Sequence, residues 1–242
     1  MLRIIVGGLL FIFNATASAA SLHIAVASNF ADSARSIAQR FTAATGHEVV
    51  VSSASSGKLY AQILHGAPFD IFLSADAEKP ELLSQKHPEI QFSLYTYALG
   101  RVVLWCPERC QAPLSDLQTG KLTPLAIANP RVAPYGKAAI EVLHYLNVSA
   151  ETRVQGENIS QVYRFIASGS APMGFIARAQ APYMSNQTHW LAPREWHAPI
   201  RQRGVITPTG MHNPAAIQFM NFLKSDVIQK FIHQQGYDAA DE

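Results

Sequence analysis

No run of like charges occurs in this chain, and 19 Lys and Arg against 17 Asp and Glu leave a formal net charge of only +2. A nucleic-acid partner demands a basic stripe and a membrane surface a basic face, so neither is expected. Past its first residues the chain lacks any apolar stretch near the roughly 20 residues that span a bilayer. Its nine histidines make no HxxxH or HExxH pair, so no metal held directly by protein side chains is expected. The serine-rich segment 52–56 contains no GxSxG elbow, which argues against a hydrolase of that type. The glycines form no phosphate loop, and there are only two cysteines, Cys106 and Cys110.

What is present begins with an address. Arg3 sits in a short basic start, residues 4–13 are apolar, and Ala17, Ser18 and Ala19 supply small residues at cleavage positions. This pattern predicts a secretory signal peptide over residues 1–20 and a soluble, periplasmic mature chain. Losing Arg3 takes the basic count from 19 to 18 against 17 acidic residues, a net charge of +1. The 222 residues left of 242 can bury a sizeable core in one domain or two lobes. In an oxidising compartment Cys106 and Cys110 either close a small disulfide loop or remain two reduced thiols. A loop that short stabilises only modestly.

Along the mature chain, strand-like and helix-like segments alternate, which predicts an α/β fold with mostly parallel sheets. Strands are expected over 22–27, 48–53, 70–74, 92–98, 101–106, 125–128, 153–155, 173–176 and 205–207. Helices are expected over 78–85, 137–146, 160–167, 215–223 and 227–233, with further helical patterns after residues 29 and 57. Residues 182–199 read as turn-rich. Doubled strand–helix junctions with a late strand and two terminal helices predict two lobes, 21–99 with 203–242 and 100–202. The chain would cross between them near 98–101 and 200–206.

The junctions carry the chemistry. Strand 22–27 ends in Ser28-Asn29 before a helical pattern, and strand 48–53 ends in Ser55-Ser56-Gly57 before another. Asn129-Pro130 leads through Tyr135 into the helix at Lys137, and Asn158-Ile159 leads into the helix at Ser160. Serine and asparagine before helices are ordinary N-caps, and one such junction marks nothing. Four of them at strand ends would converge where open α/β sheets bind ligands, with free N–H groups and hydroxyls at the positive ends of helices. An all-donor site suits a fully ionised tetrahedral oxyanion. It disfavours monohydrogen phosphate, whose proton needs an acceptor.

These residues also carry a resemblance. AVASNFADS (25–33), SSASSGKLYAQILHGAPFDIFLSAD (52–76), NPRVAPYGKAAIEVL (129–143) and APMGFIA (171–177) resemble the molybdate-binding periplasmic proteins of ABC transporters, along essentially the whole mature chain. The resemblance implies a two-lobed periplasmic-binding-protein fold of type II, with mixed sheets flanked by helices around a cleft. It also implies capture of molybdate or tungstate for a membrane permease, by a monomer without a cofactor. By position, Ser28 and Ser56 match the serines that bind the oxyanion through hydroxyl and main-chain N–H. Ile159 matches a main-chain donor, and Tyr135 a main-chain position in the second lobe. Many members carry a ligand-binding tyrosine in the segment aligned with 174–177, where this chain has Ala177. The phenol is then expected from Tyr135, with Asn29 as an added donor.

Two rivals complete the reading. One is a receptor for another tetrahedral oxyanion such as sulfate. The other is a secreted enzyme using the cleft, with Asp70 or Asp76 as base. No His or Lys stands at a diagnostic spacing from either aspartate, so these carboxylates are expected to be structural.

Overall fold

A computed structural model describes residues 21–108, 110, 112–149, 152–181 and 188–240; the predicted signal peptide lies outside them. In the first lobe β1 (Ser21–Ala27), β2 (Glu48–Ala54), β3 (Ile71–Leu73) and β4 (Tyr95–Gly100) alternate with α1 (Ala31–Thr45), α2 (Ser56–Leu64) and α3 (Glu78–Lys86). The second lobe contains β5 (Val102–Trp105), α4 (Pro113–Gln118), β6 (Leu125–Ala128), α5 (Pro134–Tyr145), β7 (Arg153–Gly156), α6 (Ile159–Ala167), β8 (Met173–Ala177) and β9 (His189–Leu191). The chain then returns as β10 (Ile200–Ile206) and ends in α7 (Pro214–Lys224) and α8 (Asp226–Gln234).

Two five-stranded sheets result, in the orders β2-β1-β3-β10-β4 and β7-β6-β8-β5-β9. Each is mixed. In the first, β1 runs parallel to β2 and β3, while β10 is antiparallel to β3 and β4. In the second, β6 runs parallel to β7 and β8, while β5 is antiparallel to β8 and β9. The antiparallel member is in each case a strand that follows a crossing from the other lobe, which is why the expected mostly parallel pairing gives way to mixed sheets.

Both faces of the first sheet are covered, so β1 reads as a nearly continuous apolar run rather than an alternating one. Phe30, just before α1, packs on one face with Ile37, Phe41, Phe219, Ile228 and others from α1, α7 and α8. Leu59, Ile63 and Leu83 of α2 and α3 pack on the other with Phe72 and Val205. The second core gathers around β5, β6 and β8, and Ala27 and Ala75 of the first lobe join it. The α1 helix buries Ala34, Ile37, Ala38 and Phe41, spaced as one helical face requires. It stops at Gly46, whose φ of 77° suits the left-handed cap and whose N–H donates to the Thr42 carbonyl.

Several boundaries differ from those expected. Residues 92–93 finish a 3-10 turn, Pro88–Ser93, so the strand begins only at Tyr95. The helix expected from 137 starts at Pro134, because proline suits the first helical position. The turn-rich segment contains β9, and β10 begins at Ile200 rather than 205. Arg201 and Arg203 in β10 masked a strand whose alternate residues, Ile200 and Gln202, are buried. Cys106 and Cys110 form a disulfide with Cα atoms 5.9 Å apart. Among the described residues no helix is long and apolar enough to cross a membrane.

Candidate functional site

The C-terminal end of β1 delivers Ser28 and Asn29 into a 3-10 turn, Ser28–Phe30, that precedes α1. The end of β2 delivers Ser55 and Ser56 to the start of α2. From the second lobe, Tyr135 lies in the first turn of α5 and Ile159 opens α6. All five residues singled out in the sequence are buried, Ser56 to 0 % exposure and Asn29 to 5 %. They occupy the interface between lobes, which the structure holds closed. Ser160 donates its main-chain N–H to Ser28 Oγ (3.4 Å) and its hydroxyl to the Ser28 carbonyl (2.9 Å). Gly57 N–H donates to the Val132 carbonyl (2.9 Å), and Lys58 pairs with Glu157 at the rim.

The ordinary-cap alternative fails at two of the junctions. No side chain caps the turn at Ser28 or the start of α2. Ser55 Oγ is buried with no hydrogen-bond partner among the described residues. Asn158 does cap conventionally, accepting from Gln161 N–H at 3.0 Å. Helix starts without side-chain caps leave main-chain N–H groups for an anion, which the helix dipole favours.

The hydroxyls show a second regularity. Ser56 Oγ accepts from Ala75 N–H (2.9 Å), Ser28 Oγ from Ser160 N–H, and Tyr135 Oη from Gln202 Nε2 (3.2 Å). A hydroxyl that accepts one N–H still has its own proton to donate. Burial pushes the Tyr135 phenol well above its ordinary pKa, with the neighbouring Tyr237 adding to the rise. The phenol therefore remains a donor throughout the neutral range.

Negative charge is neutralised around this group. The carboxylates whose fields reach the buried phenols are Asp76, Asp238 and Asp32. Asp76 pairs with Lys79, Asp238 with Arg101 and Arg194, and Asp32 with Arg35. Asp70 accepts from His23 N–H at 2.7 Å, tying β1 to the start of β3. Asp76 also accepts from Lys79 N–H at the start of α3. Both aspartates thus have structural work, and neither stands as a free base.

The sequence reading missed Gln202, Tyr97 and Tyr237, which complete a buried polar network with Asn29 and Tyr135. Asn29 Nδ2 donates to Gln202 Oε1 (2.8 Å) and Tyr237 Oη (3.3 Å), and Tyr237 donates to the Asn29 carbonyl (2.8 Å). Both amide hydrogens are so engaged, and the main-chain N–H is what Asn29 has left to offer a ligand. The signal for Gln202 was available as a polar residue at an inward position of an alternating strand.

Comparison with known proteins places the chain in a family. Residues 22–238 match the family model described as bacterial extracellular solute-binding protein. This chain belongs to that family. Among relatives of the solute-binding protein, the molybdate-binding protein ModA of Rhodobacter capsulatus is 40% identical over 226 residues, spanning 91% of this chain and 89% of the relative. ModA of Azotobacter vinelandii is 38% identical over 229 residues, 91% of each chain. The solved Azotobacter vinelandii periplasmic molybdate-binding protein superposes with a TM-score of 0.84 at 35% identity, covering 91% of this chain and all of that one. The sulfate-binding protein SubI of Mycobacterium tuberculosis superposes at 0.70 with 14% identity, which shows a shared fold alone. The relatives are binding proteins, and the solute-binding protein is not an enzyme.

Proposed function

We propose that this chain is the periplasmic receptor of an ABC transporter, capturing molybdate, and tungstate with it, for delivery to a membrane permease. The observation that carries the reading is the set of buried hydroxyls at the interface between lobes, Ser28, Ser56 and Tyr135, each accepting an N–H and so keeping its own proton to donate. Uncapped helix starts at Ser28 and Ser56, with the main chain of Asn29 and Ile159, supply the remaining donors. The relatives named for molybdate support that anion over sulfate. Tyr135 supplies the phenol in place of the tyrosine absent at Ala177.

In this reading the lobes are 21–99 with 203–242, and 100–202, joined by two crossings that flex. Ligand binds between open lobes, favours the closed arrangement by its greater contacts there, and the closed form is presented to the permease. The receptor acts as a monomer, after removal of residues 1–20, and needs no cofactor.

The test is thermal unfolding of the mature chain, stripped of anions, with molybdate, tungstate, sulfate or phosphate. Ligand at about 100 times its dissociation constant should stabilise by about 2.7 kcal/mol, raising the midpoint. A shift with molybdate and tungstate alone is expected. A shift with sulfate too would widen the receptor to oxyanions generally, and no shift with any would reject the reading.

A further inference from the structure

Gln202 is not among the residues assigned to the ligand, yet it bonds two that are, Asn29 and Tyr135, and is fully buried in β10, the strand that returns from the second lobe. It sits where the β10–β4 register shifts, with Gln202 opposite Ala98 and Arg203 opposite Thr96, so that Tyr97 is the extra residue of a bulge. Bulges re-aim side chains beside functional sites. Here Tyr97 and Gln202 both turn inward, and Tyr97 O–H lies 3.2 Å from Gln202 Oε1 and donates to the Ser74 carbonyl at 2.9 Å.

The network has a direction, and its far end fixes it. A carbonyl can only accept, so the Tyr237 proton is committed to the Asn29 carbonyl. Tyr237 Oη must then accept, which turns Asn29 Nδ2 toward it and toward Gln202. Gln202 Oε1 must face that amide, leaving Nε2 to face Tyr135 Oη. With the Gln202 Nε2 donor pointed at it and the Asn29 amide beside it, Tyr135 keeps its own proton to send outward. Reversing the Gln202 amide would set donor against donor at Asn29.

We propose that Gln202 is a positioning residue for oxyanion capture: anchored by Asn29, Tyr97 and Tyr237, it holds the Tyr135 phenol as a donor toward the ligand. This rests on the receptor reading above and deepens it, because an all-donor chamber then depends on an amide outside the ligand shell. A carboxylate in its place would accept the phenol proton and turn it away from the ligand.

The experiment is a double-variant cycle read by titration calorimetry with sodium molybdate on the anion-stripped mature chain. Gln202→Met and Gln202→Glu are each made alone and on Tyr135→Phe, with ligand-free thermal midpoints recorded to establish folding. Gln202→Met should weaken binding about 10-fold in the wild-type background and have little further effect once the phenol is gone. Gln202→Glu should weaken it more at pH 8.5 and recover as the pH falls to 6, when the introduced carboxyl regains a proton to donate, while the wild-type profile stays flat. Losses that multiply in the double variants, or Gln202→Glu binding like the wild type at every pH, would overturn the proposal. Absence of molybdate binding by the wild-type chain would instead overturn the receptor reading, before any substitution is made.

Discussion

Tyr135 depends on a neighbour that has no side chain. A Cβ on Gly100 would run into the Tyr135 phenol oxygen and come within 3.0 Å of Gln202 Nε2. The glycine at the end of β4 is what lets the phenol cross from the second lobe to the crossing strands. Gly100→Ala should therefore destabilise the closed form by about 1–3 kcal/mol, as overpacking does in a dense interior. Molybdate affinity should fall with it, because the displaced side chain is the proposed ligand donor. Calorimetry and urea unfolding on one preparation check both, and an unchanged affinity would remove Tyr135 from the site. Gly100 was visible in the sequence only as a break between two strands. That it faces a tyrosine 35 positions away was not, since nothing in local pattern pairs residues so far apart.

At the scale of elements, the strand–helix junctions were legible because a period of two gives way to one of 3.6 at serine and asparagine. Whether those residues cap the helix or leave it open was not legible, since the same residues serve either purpose. The structure separates Asn158, which caps α6, from Ser55, which caps nothing. The loop after β5 is a different case. The Cys106–Cys110 disulfide closes only the turn leaving that strand, and the chain-entropy cost of so short a loop is about 2 kcal/mol. A Cys106→Ser, Cys110→Ser double variant should lose about that much stability by urea unfolding while keeping its molybdate affinity. A large loss of affinity would mean that the loop reaches the ligand.

For the whole molecule, three phenols from three distant segments, Tyr97 and Tyr237 of the first-lobe core and Tyr135 of the second, converge on Asn29 and Gln202, and burial raises the pKa of each. In the unfolded chain they ionise near pH 10. Between that value and the higher folded ones the unfolded state binds fewer protons, so stability falls as pH rises. Below about pH 10 their contribution is complete. The thermal midpoint should decline above that pH, with the buried phenolates appearing by ultraviolet absorbance only as the fold is lost. Early phenolate formation at full stability would place these hydroxyls in contact with solvent.

The sequence by itself determined the class of fold, the alternation of elements and the polar residues at the strand–helix junctions, because each follows from periodicity and residue chemistry within a dozen positions. Only the tertiary structure decided that β10 enters the first sheet antiparallel, that a bulge turns Tyr97 and Gln202 inward, and that the C-terminal segment brings Tyr237 onto Asn29. Those outcomes rest on contacts between residues more than 100 positions apart. Long-range packing within the first lobe, not any local preference, selects them.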